Sequence, residues 1–143
     1  MKRAKLLAFL ASICLASILI ALPFVVSCAP AEEVPGAEPV VIGVPIARGY
    51  PDGIDAERGV TLAAEEINAK GGVDVAGVKR PLKVEVMDDR DLEPGVPVSE
   101  ALLVVEKLIL EKKADFILGG PIRSEAALGV MDLLSEHKTV SIL

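Results

Sequence analysis

From Val40 onward the chain alternates short β-branched apolar runs with longer segments whose apolar residues recur at helical spacing, and this alternation constrains the fold more than any other feature. Val40-Val41-Ile42-Gly43-Val44 is a continuous apolar run, the pattern of a strand covered on both faces. After a loop, Asp55 can cap a helix carrying Val60, Ala63, Ala64 and Ile67, and Gly71-Gly72 supplies its stop. Leu82 to Met87 reads as a second strand. Asp91, Glu93 and Pro94 lead into a second helix, with Val98, Ala101, Leu102, Val105, Leu108 and Ile109 on one stripe and Lys112-Lys113 closing its last turn. Asp115 to Leu118 is a third strand, and Ser124 can cap a third helix carrying Ala127, Leu128, Met131 and Leu134. Thr139 to Leu143 begins a fourth strand.

The order βαβαβαβ predicts an α/β fold, a partial doubly wound parallel sheet with right-handed crossovers and helices on both faces. In such sheets ligands bind beyond the carboxyl ends of the strands, where the strand order reverses. For the order 2-1-3-4 that point lies between the loops after strands one and three, residues Ile46 to Ile54 and Gly119 to Ser124.

The sequence has 143 residues and is 52% hydrophobic, a content raised by its first thirty residues. Lys2, Arg3 and Lys5 precede an apolar run from Leu6 to Val26, which ends in Ser27-Cys28. A basic start, an apolar stretch and a small-residue cleavage site make a signal peptide. About 20 apolar residues would also cross a bilayer uncleaved, but Pro23 and the ending argue against that reading. Val25-Val26-Ser27-Cys28 resembles a bacterial lipobox, which makes Cys28 the expected lipid-attachment residue, and two acyl chains give stable anchoring. Cys14 would leave with the signal peptide, so no disulfide is expected. Residues 28–39, with three prolines and no periodicity, read as a flexible tether, which leaves 40–143 as the folded part. The protein is expected to be exported and held at a membrane, on the periplasmic side or the cell surface.

The formal net charge is −6, and Lys and Arg are not clustered outside the first residues, which disfavours nucleic acid as a partner. Gly119-Gly120-Pro121-Ile122-Arg123-Ser124 places two glycines, an arginine and a serine at the mouth of a helix, where free N–H groups and the helix dipole favour an anion. The same residues fit an ordinary strand-to-helix turn with a capping serine and a solvated arginine, and the pattern leaves both readings open. The phosphate-loop ending Gly-Lys-Ser/Thr is absent, and the first loop lacks Gly-x-Gly-x-x-Gly, so no nucleotide cofactor is expected. His137, the sole histidine, reads as a surface residue without metal-ligand partners, and no nucleophile triad can be assembled. Met87-Asp88-Asp89-Arg90-Asp91 is the most acidic cluster. It reads as a solvated turn, with Asp91 and Glu93 placed to favour a helix N-terminus.

The run from Arg58 to Gly72, RGVTLAAEEINAKGG, resembles the signature of the leucine/isoleucine/valine-binding family, the type I periplasmic binding proteins of ABC importers. Met87-Asp88-Asp89 ahead of a helix, and Gly120-Pro121-Ile122-Arg123-Ser124 ahead of an alanine-rich one, continue the resemblance in order and spacing to the end of the chain. It implies a two-lobed clamshell holding a small solute, often an amino acid, and delivering it to an ABC permease. It also implies that Ser124, beside Arg123, receives the solute's carboxylate, and that the Tyr50-Pro51-Asp52-Gly53 stretch faces the solute, with Tyr50 and Asp52 as candidate contacts. The first loop departs from the family pattern by carrying Arg48 and Asp52, so the solute need not be a branched-chain amino acid. Family members are more than twice this length, so the resemblance implies that the chain covers the first part of lobe 1, truncated. The rival expectations are a truncated lipoprotein remnant that no longer binds and, with less support, an α/β enzyme domain.

Overall fold

The computed structural model describes residues 37–142. The expected signal peptide, Cys28 and most of the expected tether lie outside the described residues, as does Leu143. In chain order the elements are β1 (Val40–Ile46), α1 (Pro51–Ala69), β2 (Val73–Val75), β3 (Val78–Arg80), β4 (Leu82–Asp88), α2 (Val98–Leu110), β5 (Phe116–Leu118), α3 (Ser124–His137) and β6 (Val140–Ile142). No helix among the described residues is long and apolar enough to cross a membrane.

β4, β1, β5 and β6 form one parallel sheet in that order, with Val40 paired to Leu82, Ile42 to Phe116 and Phe116 to Val140. This is the expected α/β sheet and strand order. β2 and β3 are an unexpected addition, an antiparallel hairpin in which Val73 faces Arg80 and Val75 faces Val78. Its two-residue turn has Ala76 and Gly77 at positive φ, the geometry that matches strand twist, and Asp74 Oδ1 accepts the Gly77 N–H at 2.8 Å. Three-residue strands are too short for periodicity to register. Gly72 is required beside the hairpin: its φ is +80°, and a Cβ there would collide with the Arg80 carbonyl.

α1 starts earlier than Asp55. Tyr50 is the N-cap and Pro51 opens the first turn, because proline is pre-set for helix φ and has no N–H to leave unpaired. Its C-terminus ends on Gly71-Gly72, where the Gly72 N–H reaches back to the Ile67 carbonyl at 3.0 Å. Asn68 then joins the helix to the sheet: its Nδ2 donates to the Leu82 carbonyl at 2.8 Å and its Oδ1 accepts the Leu82 N–H at 2.7 Å. α2 begins at Val98 with Pro97 as N-cap, so Asp91 and Glu93 do not stand in its first turn.

The core lies between the sheet and the pair α2 and α3. Ala101, Val105 and Leu108 of α2, with Ile117 of β5 and Val130 of α3, are fully buried. On α3 the inward positions are Ala126, Val130 and Leu134, whereas Leu128 and Met131 of the expected stripe stay exposed. Both stripes have helical spacing, and contact with α2 selects one of them. Because successive strand residues point to opposite faces, Gly43 meets Ile117 and Leu108 on the α2 side, while Val44 and Ile46 face α1. Phe116, Val140 and Ile142 share the α1 face by register, and all three remain exposed.

Candidate functional site

Where β1 and β5 end side by side, their loops bound a crevice of about 570 Å³, within the usual range for small-molecule pockets. Ile46, Ala47, Asp52 and Gly53 line it from the first loop and the start of α1, and Gly119, Gly120 and Ile122 from the loop after β5. Val44, Val60, Leu118 and Ile142 make its floor and sides apolar. Gly53 is buried, and a Cβ on it would run into the Ala47 carbonyl, so the first turn of α1 closes tightly on the loop only because this residue has no side chain. Asp52 sits in that same turn, where its negative charge is favoured by the helix dipole.

The other candidates flank the crevice. The Tyr50 hydroxyl donates to the Leu92 carbonyl at 2.7 Å. Arg123 is the N-cap of α3, in extended conformation, and Ser124 is the exposed first residue of the helix, not its cap. Of the four sequence candidates, Asp52 lines the crevice; Arg123 and Ser124 follow Ile122 directly along the chain, and Tyr50 lies between the lining residues Ala47 and Asp52. His137 is the half-buried last residue of α3, far along the chain from either loop.

The acidic cluster is not a solvated turn. Asp89 and Asp91 are each 1% exposed. Burial is the main cause pushing the Asp89 carboxyl above its ordinary pKa, opposed by the hydrogen bond it accepts from the Asp91 N–H at 3.0 Å. Asp91 is paired: its Oδ2 accepts the Arg123 N–H at 2.6 Å and its Oδ1 accepts Arg123 Nε–H at 2.8 Å. Asp88 Oδ1 accepts the N–H groups of Arg48 and Arg90, both at 3.1 Å. The Arg48 guanidinium turns to Glu57 on α1, with Nε at 2.8 Å from Oε2; this bond holds the Glu57 carboxyl below the usual range and raises Arg48 in turn. Sequence reasoning missed the buried pairing of Asp91, because an acid in a loop carries no sign of a partner 32 residues away. Ile122 and Gly53 lie inside the two loops that the topology names, but nothing in the sequence singles them out as lining residues, since their part depends on how two loops meet.

No protein-family model matches the chain, and no curated protein matches it. Solved structures do. A putative branched-chain amino acid ABC transporter from Silicibacter pomeroyi matches with a TM-score of 0.58 and 27% identity over 72% of this chain and 24% of its own. An ABC transporter substrate-binding protein from Sphaerobacter thermophilus matches with a TM-score of 0.53 and 26% identity, over 72% of this chain and 25% of its own. The branched-chain amino acid transporter substrate-binding protein LivJ from Streptococcus pneumoniae, solved in complex with isoleucine, shares the fold at a TM-score of 0.56 and 22% identity, over 73% of this chain and 30% of its own. The chain thus spans about a quarter of the length of the first two. The likeness implied by residues 58–72 is to the substrate-binding proteins of branched-chain amino acid ABC transporters, and the β4-β1-β5-β6 sheet with its three helices is part of one lobe of the type I periplasmic binding protein fold.

Proposed function

We propose that the chain is an extracytoplasmic solute-binding lipoprotein, anchored through Cys28, whose crevice receives an amino acid or a related small carboxylate for delivery to an ABC permease. The observation that carries this reading is the crevice itself, which reaches the carboxyl ends of β1 and β5 and is lined by residues of both loops that the topology nominates. An amino acid offers three features the crevice matches. Its ammonium suits Asp52, its carboxylate suits Ser124 and the free N–H groups opening α3, with Arg123 held by Asp91 beside them, and an aliphatic side chain suits Val44, Val60 and Leu118. Tyr50 stands at the rim of the first loop. The matched proteins are transport proteins, one of them holding isoleucine, and they support the same reading.

Ile122 and Ile142 line the crevice yet remain 57% and 65% exposed, so a bound solute keeps much of its surface in water. Affinity of this chain alone is therefore expected near millimolar, about −4 kcal/mol. The test is an NMR titration of the full chain in mild detergent with each of the common amino acids, following the amides of Gly119, Gly120 and Ile122. Ser124→Ala is expected to weaken the response of the best solute by about 1 to 3 kcal/mol, the range for a hydrogen bond to a charged group. Absence of any saturable shift from the whole panel would refute the receptor reading.

A further inference from the structure

We infer that Asp91 is a positioning residue for the crevice, holding the loop after β5 in register with the loop after β1; its part in solute binding rests on the receptor reading. Both carboxylate oxygens of Asp91 go to the same residue. One takes the Arg123 N–H at 2.6 Å and the other takes Nε–H at 2.8 Å, and the side chain has no exposed surface. Charge-assisted bonds of this kind fix geometry as well as adding strength. The residue they fix is the N-cap of α3, at φ −69° and ψ 130°, which follows Ile122 directly. Pinning the Arg123 amide therefore sets where Ile122 stands and where the first turn of α3 points.

The segment that carries Asp91 also holds the opposite wall. The Asp89 N–H donates to the Ile46 carbonyl at 2.9 Å, Asp88 Oδ1 accepts the Arg48 N–H at 3.1 Å, and the Leu92 carbonyl accepts the Tyr50 hydroxyl at 2.7 Å. Residues 88–92 thus join one loop on each side, and Asp91 is the sole side chain among these bonds that reaches the 119–124 loop. Fold stability alone does not account for such a pair. A buried ion pair is commonly no more stabilising than apolar residues of the same volume. Here Arg123 Nη2 is buried without a partner among the described residues, an arrangement that stability alone would not favour.

The test uses the full chain in mild detergent, labelled with ¹⁵N-arginine and, separately, uniformly. Hydrogen exchange of the Arg123 amide and Nε–H is measured in the wild type, Asp91→Ala and Asp91→Asn. Asp91→Ala is expected to speed exchange of the Arg123 amide about tenfold or more, the factor for one hydrogen bond to a charged group. Asp91→Asn keeps an oxygen for the amide, so it is expected to free Nε–H by a similar factor while leaving the amide slow; it also covers the case in which the alanine variant does not fold. The common amino acids, L-isoleucine among them, are then titrated and the Gly120 and Ile122 amides followed. Asp91→Ala is expected to weaken the response about tenfold and Asp91→Asn to restore most of it. Arg123 exchange unchanged by either substitution would overturn the inference. So would a lower melting temperature with amino-acid affinity unchanged, because that is the signature of a merely structural pair. If the wild type responds to no amino acid while Arg123 protection still depends on Asp91, the receptor reading falls and the brace between the loops stands.

Discussion

Val130 and Met131 are neighbours on α3, and truncating each to alanine separates the face the structure buries from the face the periodicity nominates. Val130 is fully buried against α2 and the sheet, within a cluster that includes Val105, Leu108, Ile117 and Leu134. Val130→Ala removes two buried carbons, each worth about 0.8 kcal/mol in transfer free energy, and leaves a cavity. The expected loss is about 2 to 3 kcal/mol. Met131 is 55% exposed, so Met131→Ala is expected to change stability by about 0.5 kcal/mol or less. With a urea slope of about 1 to 3 kcal/mol/M, the first variant should lower the midpoint by about 1 M and the second should barely move it. Sequence and assay fit together here: the chain has no Trp and a single Tyr, so unfolding is followed by helical circular dichroism of the full chain in mild detergent. Equal losses, or a larger loss for Met131→Ala, would refute the assignment of the buried face.

Three further outcomes are expected. Asp89 has its carboxyl pKa raised above the ordinary 3.8, mainly by burial, so its contribution to stability is present below that value and is lost as pH rises through the raised one; Asp89→Asn should therefore match the wild type in acid and exceed it at neutral pH, and urea midpoints showing the reverse trend would contradict this. β6 has no second neighbour among the described strands, and Val140 and Ile142 are 58% and 65% exposed, so replacing both by Thr should reduce self-association measured by light scattering. Membrane-extracted protein should have a mass corresponding to a lipid-bearing N-terminal Cys28, and Cys28→Ala should abolish the lipid; an unmodified mature chain would refute the anchor.

Much of the fold could be read before any coordinate. Strand and helix periods alone separated β1, β4 and β5 from α1, α2 and α3, since a strand buried on both faces and an amphipathic helix have different repeat patterns. Alternation then implied a parallel sheet, which the structure has in the expected strand order, and the reversal of that order named two loops, residues of both of which line the cavity described above. Local chemistry also sufficed for the end of α1, where Gly71-Gly72 can take the positive φ that other residues resist.

Other features were set only when distant segments met. The inward face of α3 depended on α2, because Ala126, Val130 and Leu134 and the rival set with Leu128 and Met131 are equally periodic. The acidic cluster shows the difference most clearly. Its composition is that of a solvated turn, and only the approach of Arg123 past the carboxyl end of β1 turns Asp91 into a buried partner. Periodicity and turn chemistry are properties of neighbouring residues, so the sequence carries them by itself; burial and pairing are properties of surfaces brought together, and only the tertiary structure decides them.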